Sequence, residues 1–476
     1  MSRRLILVLV LAFVLGISFA AYAEVQNVKV SGDLTMMGVV RENFDLTKTA
    51  ANGWIGGSAS NRYDDTEKDL LSIVRVRVDA DLTDNVSTTI RLLNERNWNG
   101  ESATGVIGAN RNIGFATDNG AAEEQDIELD LAYVHMKEFL YSPLSLTVGR
   151  QELHFGNDFI IGDPDTNMVA LRSSLAEGDL SSRKAFDAIR ATLDYNPLVV
   201  DIVYAKLAEN NVVLNDDTTV YGLNLNYALD KNTTLEGFYF GKIRGSDATA
   251  VTNVDSGLNT SFIVQDNGKS KSDQVHTVGA RVVNRTINNL TVDAQAAYQF
   301  GTYNPKFDPN ARFIAANNKA EIANRRAWAA EGIATYDLKD VKYIGKYNPS
   351  LSAIYLYLSG ADRDRTGSKT YKGWDAMYEN QTLGHIINAI MGFSNAHFAG
   401  LSAKAKPMDD VTVKMDAVAV WFAKRFPDQR LAILSGVDGA REFRMAKGPF
   451  IGQEYDLTLT YDYTEDVQFS LLGGLF

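Results

Sequence analysis

Arginines and carboxylates alternate with apolar residues along one segment near the start of the chain. Arg75 and Arg77 lie between Val74, Val76 and Val78, and two aspartates follow at the same spacing. A guanidinium group offers planar, paired donors that match a carboxylate or a phosphate group. A row of such groups on one face is therefore predicted to guide solutes that carry those anions.

Further charged residues are predicted on the same face, because alternate residues of a strand share a face. With Arg75 and Arg77 this inward set comprises Arg91, Arg190, Arg281, Lys414, Asp79, Asp81, Glu128, Asp130, Asp194, Asp293 and Asp416. Arg150 has the parity of outward residues, and we expect a bulge at Gly149 to turn it inward. The alternative is that the acidic neighbours pair with the arginines and only stiffen the wall.

Catalytic and metal-binding patterns are weak in this chain. Its five histidines are scattered, none has metal-ligand spacing, and no G-x-S-x-G motif occurs. His154 near Asp158 is the one local hint of a hydrolase, and such a pair is more often a surface hydrogen bond. Acidic runs at 64–67 and 163–165 are interpreted as solvated loop charge rather than Ca²⁺ ligands. We expect no enzyme and no cofactor.

The elements that position these residues alternate with a period of two, as in 290–299, 411–421 and 454–463, which predicts β-strands. Their connections also alternate in length. Short turns are predicted near 83–85, 140–143, 195–197, 229–232, 285–289, 339–347, 407–410 and 464–466. Long polar stretches lie near 43–68, 98–126, 155–184, 245–272, 302–324, 361–393 and 423–450, with a shorter one at 208–217.

Short turns on one side and long loops on the other are typical of a transmembrane antiparallel β-barrel, with periplasmic turns and extracellular loops. A soluble β-sandwich also alternates, but its loops do not sort by length. The count gives seventeen strands, whereas bacterial barrels usually have an even number, so eighteen are expected. The missing strand either hides in 155–184, at 168–172, or is a last strand absent from this all-β chain.

The N-terminus predicts export. Two arginines, an apolar run over 5–19 and the A-Y-A pattern at 21–23 form a signal peptide, 1–23, followed by a barrel over 24–476. The apolar run is short for a membrane anchor, which is the alternative. Removal of the signal changes the balance to 45 basic against 59 acidic residues, since 47 minus 2 is 45. The acidic balance argues against nucleic acid as a partner.

Several stretches resemble the alginate export family of outer-membrane porins. They include S-I-V-R-V-R-V-D-A-D-L-T-D at 72–84, I-E-L-D-L-A-Y-V at 127–134, V-G-R-Q-E-L-H-F-G-N-D at 148–158 with I-G at 161–162, R-K-A-F-D-A-I-R at 183–190, and E-Y-D-L with T-Y-D-Y over 454–463. The resemblance covers nearly the whole mature chain and is strongest over 70–195. It implies an 18-stranded monomeric barrel, a pore narrowed by loops, and pore roles for Arg75, Arg77, Arg91, Arg150 and Arg190.

Together these features predict a passive outer-membrane channel, a porin or exporter, for anionic solutes such as a polyuronate polysaccharide. The alternatives are a general non-selective diffusion porin and a receptor or adhesin barrel that binds through its loops. Expected partners are outer-membrane lipid and lipopolysaccharide, the barrel-assembly machinery, and periplasmic polysaccharide-export proteins. Phe476 resembles the terminal aromatic used in barrel assembly, although it is off the outward register of the last strand.

Overall fold

The computed structural model describes most of the strands and part of the loops. The described residues are 27–42, 66–98, 127–164, 180–208, 217–245, 271–304, 322–361, 368–425, 432–433, 442–443 and 448–476. Most long loops fall in the gaps, and so does the short strand considered at 168–172.

Seventeen long strands form the wall. They are β1 (Asn27–Glu42), β2 (Thr66–Thr83), β3 (Val86–Asn97), β4 (Glu128–Met136), β5 (Leu144–Glu152), β6 (Ala185–Asp194), β7 (Leu198–Ala208), β8 (Thr218–Asp230), β9 (Thr233–Arg244), β10 (Asp273–Asn284), β11 (Leu290–Tyr303), β12 (Ala323–Asp337), β13 (Ser350–Leu358), β15 (Ala396–Met408), β16 (Val411–Phe422), β19 (Phe450–Asp462) and β20 (Gln468–Leu475).

Three short strands and two short helices complete the described elements. The strands are β14 (Thr370–Tyr371), β17 (Ala432–Ile433) and β18 (Glu442–Phe443), and β17 pairs with β18 in a separate two-stranded sheet. A 3₁₀ helix spans Gly345–Tyr347, and helix α1 spans His385–Ile390. Within the described ranges, no helix has the length and apolar character needed to span a membrane.

The wall strands pair antiparallel, each with the next along the chain, from β1 to β20. The sheet contains eighteen strands, which confirms the expected number. The seventeen wall strands are those counted in the sequence, and the eighteenth strand of the sheet is β14, a two-residue strand that pairs in parallel with β12. Its brevity explains why no alternating pattern marks it in the sequence.

The two faces of the sheet differ in exposure and chemistry. On β2, Val74 and Val76 are exposed, while Leu71 and Ile73 on the other face are buried. The same contrast recurs around the wall, where apolar side chains on one face stay exposed and polar or charged side chains alternate with them. An apolar exterior around a polar interior is the pattern of an outer-membrane barrel. The charged face therefore lines the lumen.

Candidate functional site

Arg75 and Arg77 both face the lumen, as predicted. Arg75 donates from Nε to the two carboxylate oxygens of Asp33 at 3.1 and 2.9 Å. Arg77 donates from Nε and Nη2 to Asp79, each at 2.8 Å, and Asp79 also accepts from Thr89 at 2.7 Å. The ion pairs weighed as an alternative from the sequence are thus present, although half-exposed pairs of this kind stabilise a fold only modestly.

Arg91 also faces the lumen but is buried in an ion-pair network. Its Nε donates to Asp130 and its Nη2 donates to Glu152. The register between β3 and β4 shifts beside Arg91, so that Asp130 forms a bulge and Leu131 pairs with Arg91. Simple alternation from Asp130 would place Leu131 on the outward face, whereas it is buried inside. A bulge adds one residue to one strand and reverses the parity beyond it.

Arg190 lies where the wall meets an inward loop. Its Nε donates to Asp201 at 2.8 Å, and its guanidinium carbon lies 5.3 Å from the ring centre of Phe155. Thr192 donates to the same carboxylate oxygen at 2.6 Å. Asp201 was not among the predicted site residues, although its parity on β7 marks it as inward.

Arg281 and Lys414 face inward, as predicted, and each has an acidic partner. Arg281 donates from Nε and Nη2 to Asp293 at 2.8 and 2.6 Å, and from Nη1 to Glu236 at 3.1 Å. Lys414 lies 2.9 Å from Asp416 on its own strand. Both cations are therefore neutralised by the wall itself.

Asp81 accepts from Asn27 at 3.4 Å, and two further predicted acids, Glu128 and Asp194, have local roles in the structure. Glu128 accepts from Nη1 of Arg183 at 3.3 Å at the start of β4. Asp194 lies at the end of β6, where its side chain accepts from the backbone N–H of Asn196 at 3.0 Å. Such a bond from an aspartate two residues back is typical of a turn. Asp194 therefore supports a turn at the rim of the barrel.

Arg150 follows Gly149, at which a bulge was predicted. Gly149 has a positive φ of 125°, as a distorted strand position would, but the pairing of β5 with β6 continues through it without a shift. That register sets Arg150 opposite Asp187, with which it forms an ion pair of 3.1 Å, while Glu152, two positions further along β5, contacts the lumenal Arg91. No shift of the pairing marks a bulge at Gly149, and the pore role of Arg150 stays a prediction.

Exposure separates the lumen cations into two groups. The side chains of Arg75, Arg77, Arg190 and Lys414 are 30%, 39%, 30% and 47% exposed, while those of Arg91 and Arg281 are 10% and 15% exposed. The first group is open to solvent in the lumen. The second group holds the wall together from within.

Two segments fold into the barrel and occupy part of its lumen. We call residues 153–164 inner loop A and residues 368–395 inner loop B. Ile161 of loop A forms a parallel bridge with Tyr378 of loop B, and Gly162 donates its N–H to the Tyr378 carbonyl at 2.7 Å. Phe159 and Trp374 stack with ring centres 5.8 Å apart. The two loops thus form one body.

The inner loops and the lumenal wall share a hydrophobic core. Loop residues such as Phe155, Met377 and Ile387 are buried against wall residues such as Phe240 and Leu356. Burial of apolar surface is the main force that holds such a body in place. The sequence predicted 361–393 as a polar loop. The run H-I-I-N-A-I-M-G-F at 385–393 was the missed signal, since an exposed loop rarely carries so many apolar residues.

Polar tethers fix inner loop B to the wall. Asp375 lies 2.5 Å from Lys242 and 4.0 Å from Arg325, and its backbone exchanges two hydrogen bonds with the Gln299 side chain. Burial acts to raise the pKa of Asp375, but Lys242 and Arg325 outweigh it, so that the pKa is well below its ordinary value. Asp375 is therefore ionised inside the barrel.

A second tether joins both loops to β12. Glu331 accepts from Asn157 of loop A at 2.7 Å, from Gln381 of loop B at 2.9 Å, and from Gln295 of β11. Three donors around one buried carboxylate compensate for much of the cost of removing it from water. Glu331 is thus the point at which both loops meet the wall.

A third tether lies at the first turn of α1. Glu454 accepts from the backbone N–H groups of Ile386 and Ile387, each at 2.7 Å, and Asp456 accepts from His385 at 3.3 Å. The first N–H groups of a helix lack partners within it, so carboxylates from the wall satisfy them. This contact sets α1 against β19.

Glu379 and His154 of the inner loops also have shifted pKa values. Burial raises the pKa of Glu379 to about 8, with Asp163 and Asp158 adding to the effect and the Gln381 N–H and Lys184 opposing it. The hydrogen bond to Asp158 raises the pKa of His154.

The His154–Asp158 pair, the one hint of a hydrolase, is a hydrogen bond of 3.0 Å between neighbours within inner loop A. Asp163, from the acidic run considered for Ca²⁺, forms an ion pair with Lys184. The run at 64–67 lies largely outside the described residues. Among the residues that the structure describes, no group of three histidine or acidic side chains is placed to hold a metal ion.

Comparison with known proteins identifies the family. The family model for alginate export matches residues 57–476. The fold is similar to that of OccK8 (OprE) from Pseudomonas aeruginosa, at 10% identity, a TM-score of 0.53 and 94% coverage of both chains. OccAB1 from Acinetobacter baumannii has 12% identity and a TM-score of 0.48, with 96% of this chain and 92% of the other covered. The anion-selective porin from Comamonas acidovorans has 8% identity and a TM-score of 0.42, with 94% and 100% covered.

No curated protein matches this chain. The match to the family model spans most of the sequence, and the fold is that of the outer-membrane porin OccK8. This chain belongs to the alginate export family, as an outer-membrane β-barrel of the porin type.

Proposed function

We propose that this channel conducts anionic solutes passively along the side of the lumen that carries Arg75, Arg77 and Arg190. The supporting observation is how two of these arginines pair. The hydrogen bonds of Arg75 and Arg190 to their aspartates start from Nε, and among the residues that the structure describes their terminal nitrogens are left for a solute. A carboxylate or phosphate that passes these side chains can accept bonds from the same guanidinium groups.

The neighbouring carboxylates weaken the attraction between these arginines and an anion, and conduction depends on such weak binding. Asp33, Asp79 and Asp201 each lie within 3 Å of a lumen arginine. A site that binds an anion weakly lets it leave again, and conduction requires such weak binding. The cargo best supported by the family is an anionic polysaccharide, because alginate is a polyuronate with regularly spaced carboxylates.

Export and assembly follow from the same proposal. The signal peptide, 1–23, would be cleaved after Ala23, and the barrel would be inserted by the assembly machinery among phospholipid and lipopolysaccharide. Periplasmic polysaccharide-export proteins would deliver the cargo. The channel needs no cofactor and no catalytic group for passive conduction.

A second candidate is a receptor barrel that binds ligands through its loops. The inner loops support it, because they fill part of the lumen and leave less room for a solute. A general diffusion porin is a third candidate, supported by the paired charges of the wall. Conductance separates these functions: a receptor barrel with closed loops conducts no ions, and a general porin shows no preference for anions.

Replacing Arg75, Arg77 and Arg190 together with glutamine is expected to lower the chloride-to-potassium permeability ratio roughly threefold, because the lumen loses three positive charges while their aspartates remain. The measurement is the reversal potential of the reconstituted barrel across a KCl gradient. Disaccharide and longer oligouronates should block the chloride current of the original protein, and this block should weaken in the variant.

Arg285→Gln is the matched control, since Arg285 carries the same charge but is exposed in the short turn between β10 and β11. It should leave both the reversal potential and the block unchanged. Selectivity for cations in the original protein, or equal selectivity in the triple variant, would contradict the anion proposal. An absence of conductance from a folded barrel would favour the receptor instead.

A further inference from the structure

The turn between β12 and β13 differs in length and composition from a tight hairpin. It spans residues 338–349 and contains three lysines, Lys339, Lys342 and Lys346, against one aspartate. The turns at 409–410 and 464–466 each carry two acidic residues and no basic one. The turns at 231–232 and 285–289, between neighbouring strands, each carry one basic residue and no acidic one. Positive charge is thus concentrated on one arc of the short-turn rim.

Apolar side chains of this turn point away from the protein. Tyr343 is 79% exposed, and Val341, Ile344 and Tyr347 are exposed as well. Lys342 lies with its Nζ 5.0 Å from the ring centre of Tyr343, and Lys346 lies 4.7 Å from that of Tyr347. The turn therefore presents alternating aromatic rings and ammonium groups on one surface.

The backbone holds this surface in a defined shape. Leu338 donates its N–H to the Pro349 carbonyl at 2.8 Å, and Gly345 donates to Val341 at 2.8 Å. Tyr343 has a φ of 73°, in the left-handed region that aromatic residues rarely occupy. A residue persists in that region only where its surroundings impose it. The exposure of Tyr343 is therefore part of an ordered turn.

The turn continues the outward face of the barrel. Tyr336 and Leu351 pair directly across β12 and β13, immediately above the turn, and both are exposed on the outward face. The outward face contacts the hydrocarbon of the bilayer, so the turn lies at the level of the periplasmic head groups. Aromatic rings prefer that level, and lysines near it attract anionic lipids.

We propose that residues 338–349 bind the phosphate-bearing head groups of anionic phospholipids in the periplasmic leaflet and anchor this side of the barrel there. Tyr343 and Ile344 insert at the interface, while Lys339, Lys342 and Lys346 contact the lipid phosphates. An acidic protein would bind the same lysines. Binding of a protein, however, does not explain why the turn is continuous with the lipid-facing wall. The anchor is independent of what the channel conducts.

The test measures retention of defined lipids by the purified full chain. The barrel is delipidated in neutral detergent and titrated with phosphatidylglycerol or phosphatidylcholine, and bound lipids are counted by native mass spectrometry. The original protein should retain phosphatidylglycerol in preference to phosphatidylcholine. The triple variant with Lys339, Lys342 and Lys346 replaced by glutamine should lose this preference, with affinity reduced roughly tenfold or more. Its melting temperature in neutral detergent should not change, because all three side chains are exposed.

Lys137→Gln is the matched control, because its turn also exposes apolar residues, Leu140 and Tyr141, but has one lysine beside one glutamate. It should retain phosphatidylglycerol as the original protein does. Equal retention of both lipids by the original protein would overturn the proposal. So would unchanged retention by the triple variant, or the finding that an acidic protein binds the turn while neither lipid is preferred.

Discussion

Replacing Lys242 with methionine is expected to raise the single-channel conductance roughly twofold or more, because loss of one partner from a buried ion pair costs about 3–5 kcal/mol. Lys242 lies 2.5 Å from Asp375, and both belong to a buried group of two cations and two anions with Arg325 and Asp273. The variant leaves this group with one excess negative charge. The charge can return to water only if inner loop B leaves the lumen.

The measurement is the conductance of the reconstituted barrel in a planar bilayer, with circular dichroism to show that the strands persist. The wall should survive the substitution, because the backbone pairing of β9 does not depend on the Lys242 side chain. Inner loop B should also become accessible to trypsin, which cleaves after lysine and arginine and whose targets there are Lys369 and Lys372.

Two variants make this result specific. Lys242→Met combined with Asp375→Leu removes both charges, keeps the group neutral and should return the conductance to its original value. Lys206→Met removes a lysine whose pairing with Asp217 is partly exposed, at 3.1 Å, and should have no effect. A folded Lys242→Met barrel with the original conductance would mean that inner loop B does not depend on this pair or does not obstruct the channel.

The strands of the wall could be predicted because alternation with a period of two assigns each residue to one face of its strand. Val74 and Arg75 differ by one position, and only a register that separates them keeps valine in lipid and arginine in water. The same rule placed Arg190, Arg281 and Lys414 in the lumen. Each of these positions requires only local alternation, which a sequence displays directly.

The errors arise where alternation fails or where a contact is distant in sequence. The bulge at Asp130 changes parity without any glycine to mark it, whereas Gly149 looked like a bulge and is none. The pairing of Arg150 with Asp187 depends on the register of two strands, which neither strand reveals alone. Parity therefore predicts which face a residue occupies more reliably than which partner it meets.

The inner loops show the same limit on a larger scale. Asp375 is separated from Lys242 by 133 residues, and Glu331 from Asn157 by 174 residues. No local pattern specifies these contacts. The apolar run at 385–393 was nevertheless visible, and an apolar loop in a barrel with an aqueous lumen has few places to bury itself. The inward fold of that loop could have been predicted from the sequence, but the residues that tether it to the wall could not.

Raising the pH from about 4.5 to about 8 is expected to weaken the docking of inner loop B, since Glu379 keeps its proton in the docked loop and loses it in water. Burial raises the pKa of Glu379 to about 8 from an ordinary value of 4.5. Between these two pKa values the undocked loop binds up to one proton fewer than the docked loop. Each unit of pH increase therefore shifts the docking equilibrium up to tenfold toward the undocked loop. Below 4.5 the carboxyl is neutral in both states, and above 8 it is charged in both.

The charged groups around Glu379 leave this direction unchanged. Asp163 and Asp158 repel its charge, and Lys184 attracts it but is already paired with Asp163. His154 has a raised pKa beside Asp158, so its contribution is also present at low pH and lost as the pH rises through that pKa. Asp375, whose pKa is lowered, stabilises the docked loop at every pH above its ordinary pKa of 3.8. This contribution is lost only in more acidic solution.

The measurement is the conductance, or the rate of tryptic cleavage at Lys372, followed from pH 5 to pH 9. Both should rise between pH 5 and pH 8 in the original protein and level off above pH 8. Glu379→Gln, which stays neutral at every pH, should remove most of the rise, whereas His154→Gln should keep it. If the conductance of the Glu379→Gln variant rises with pH as steeply as that of the original protein, the proton that controls docking belongs to another group. Glu379 then only fills space. If the rise disappears, a single buried carboxyl couples the opening of the lumen to the pH outside the cell.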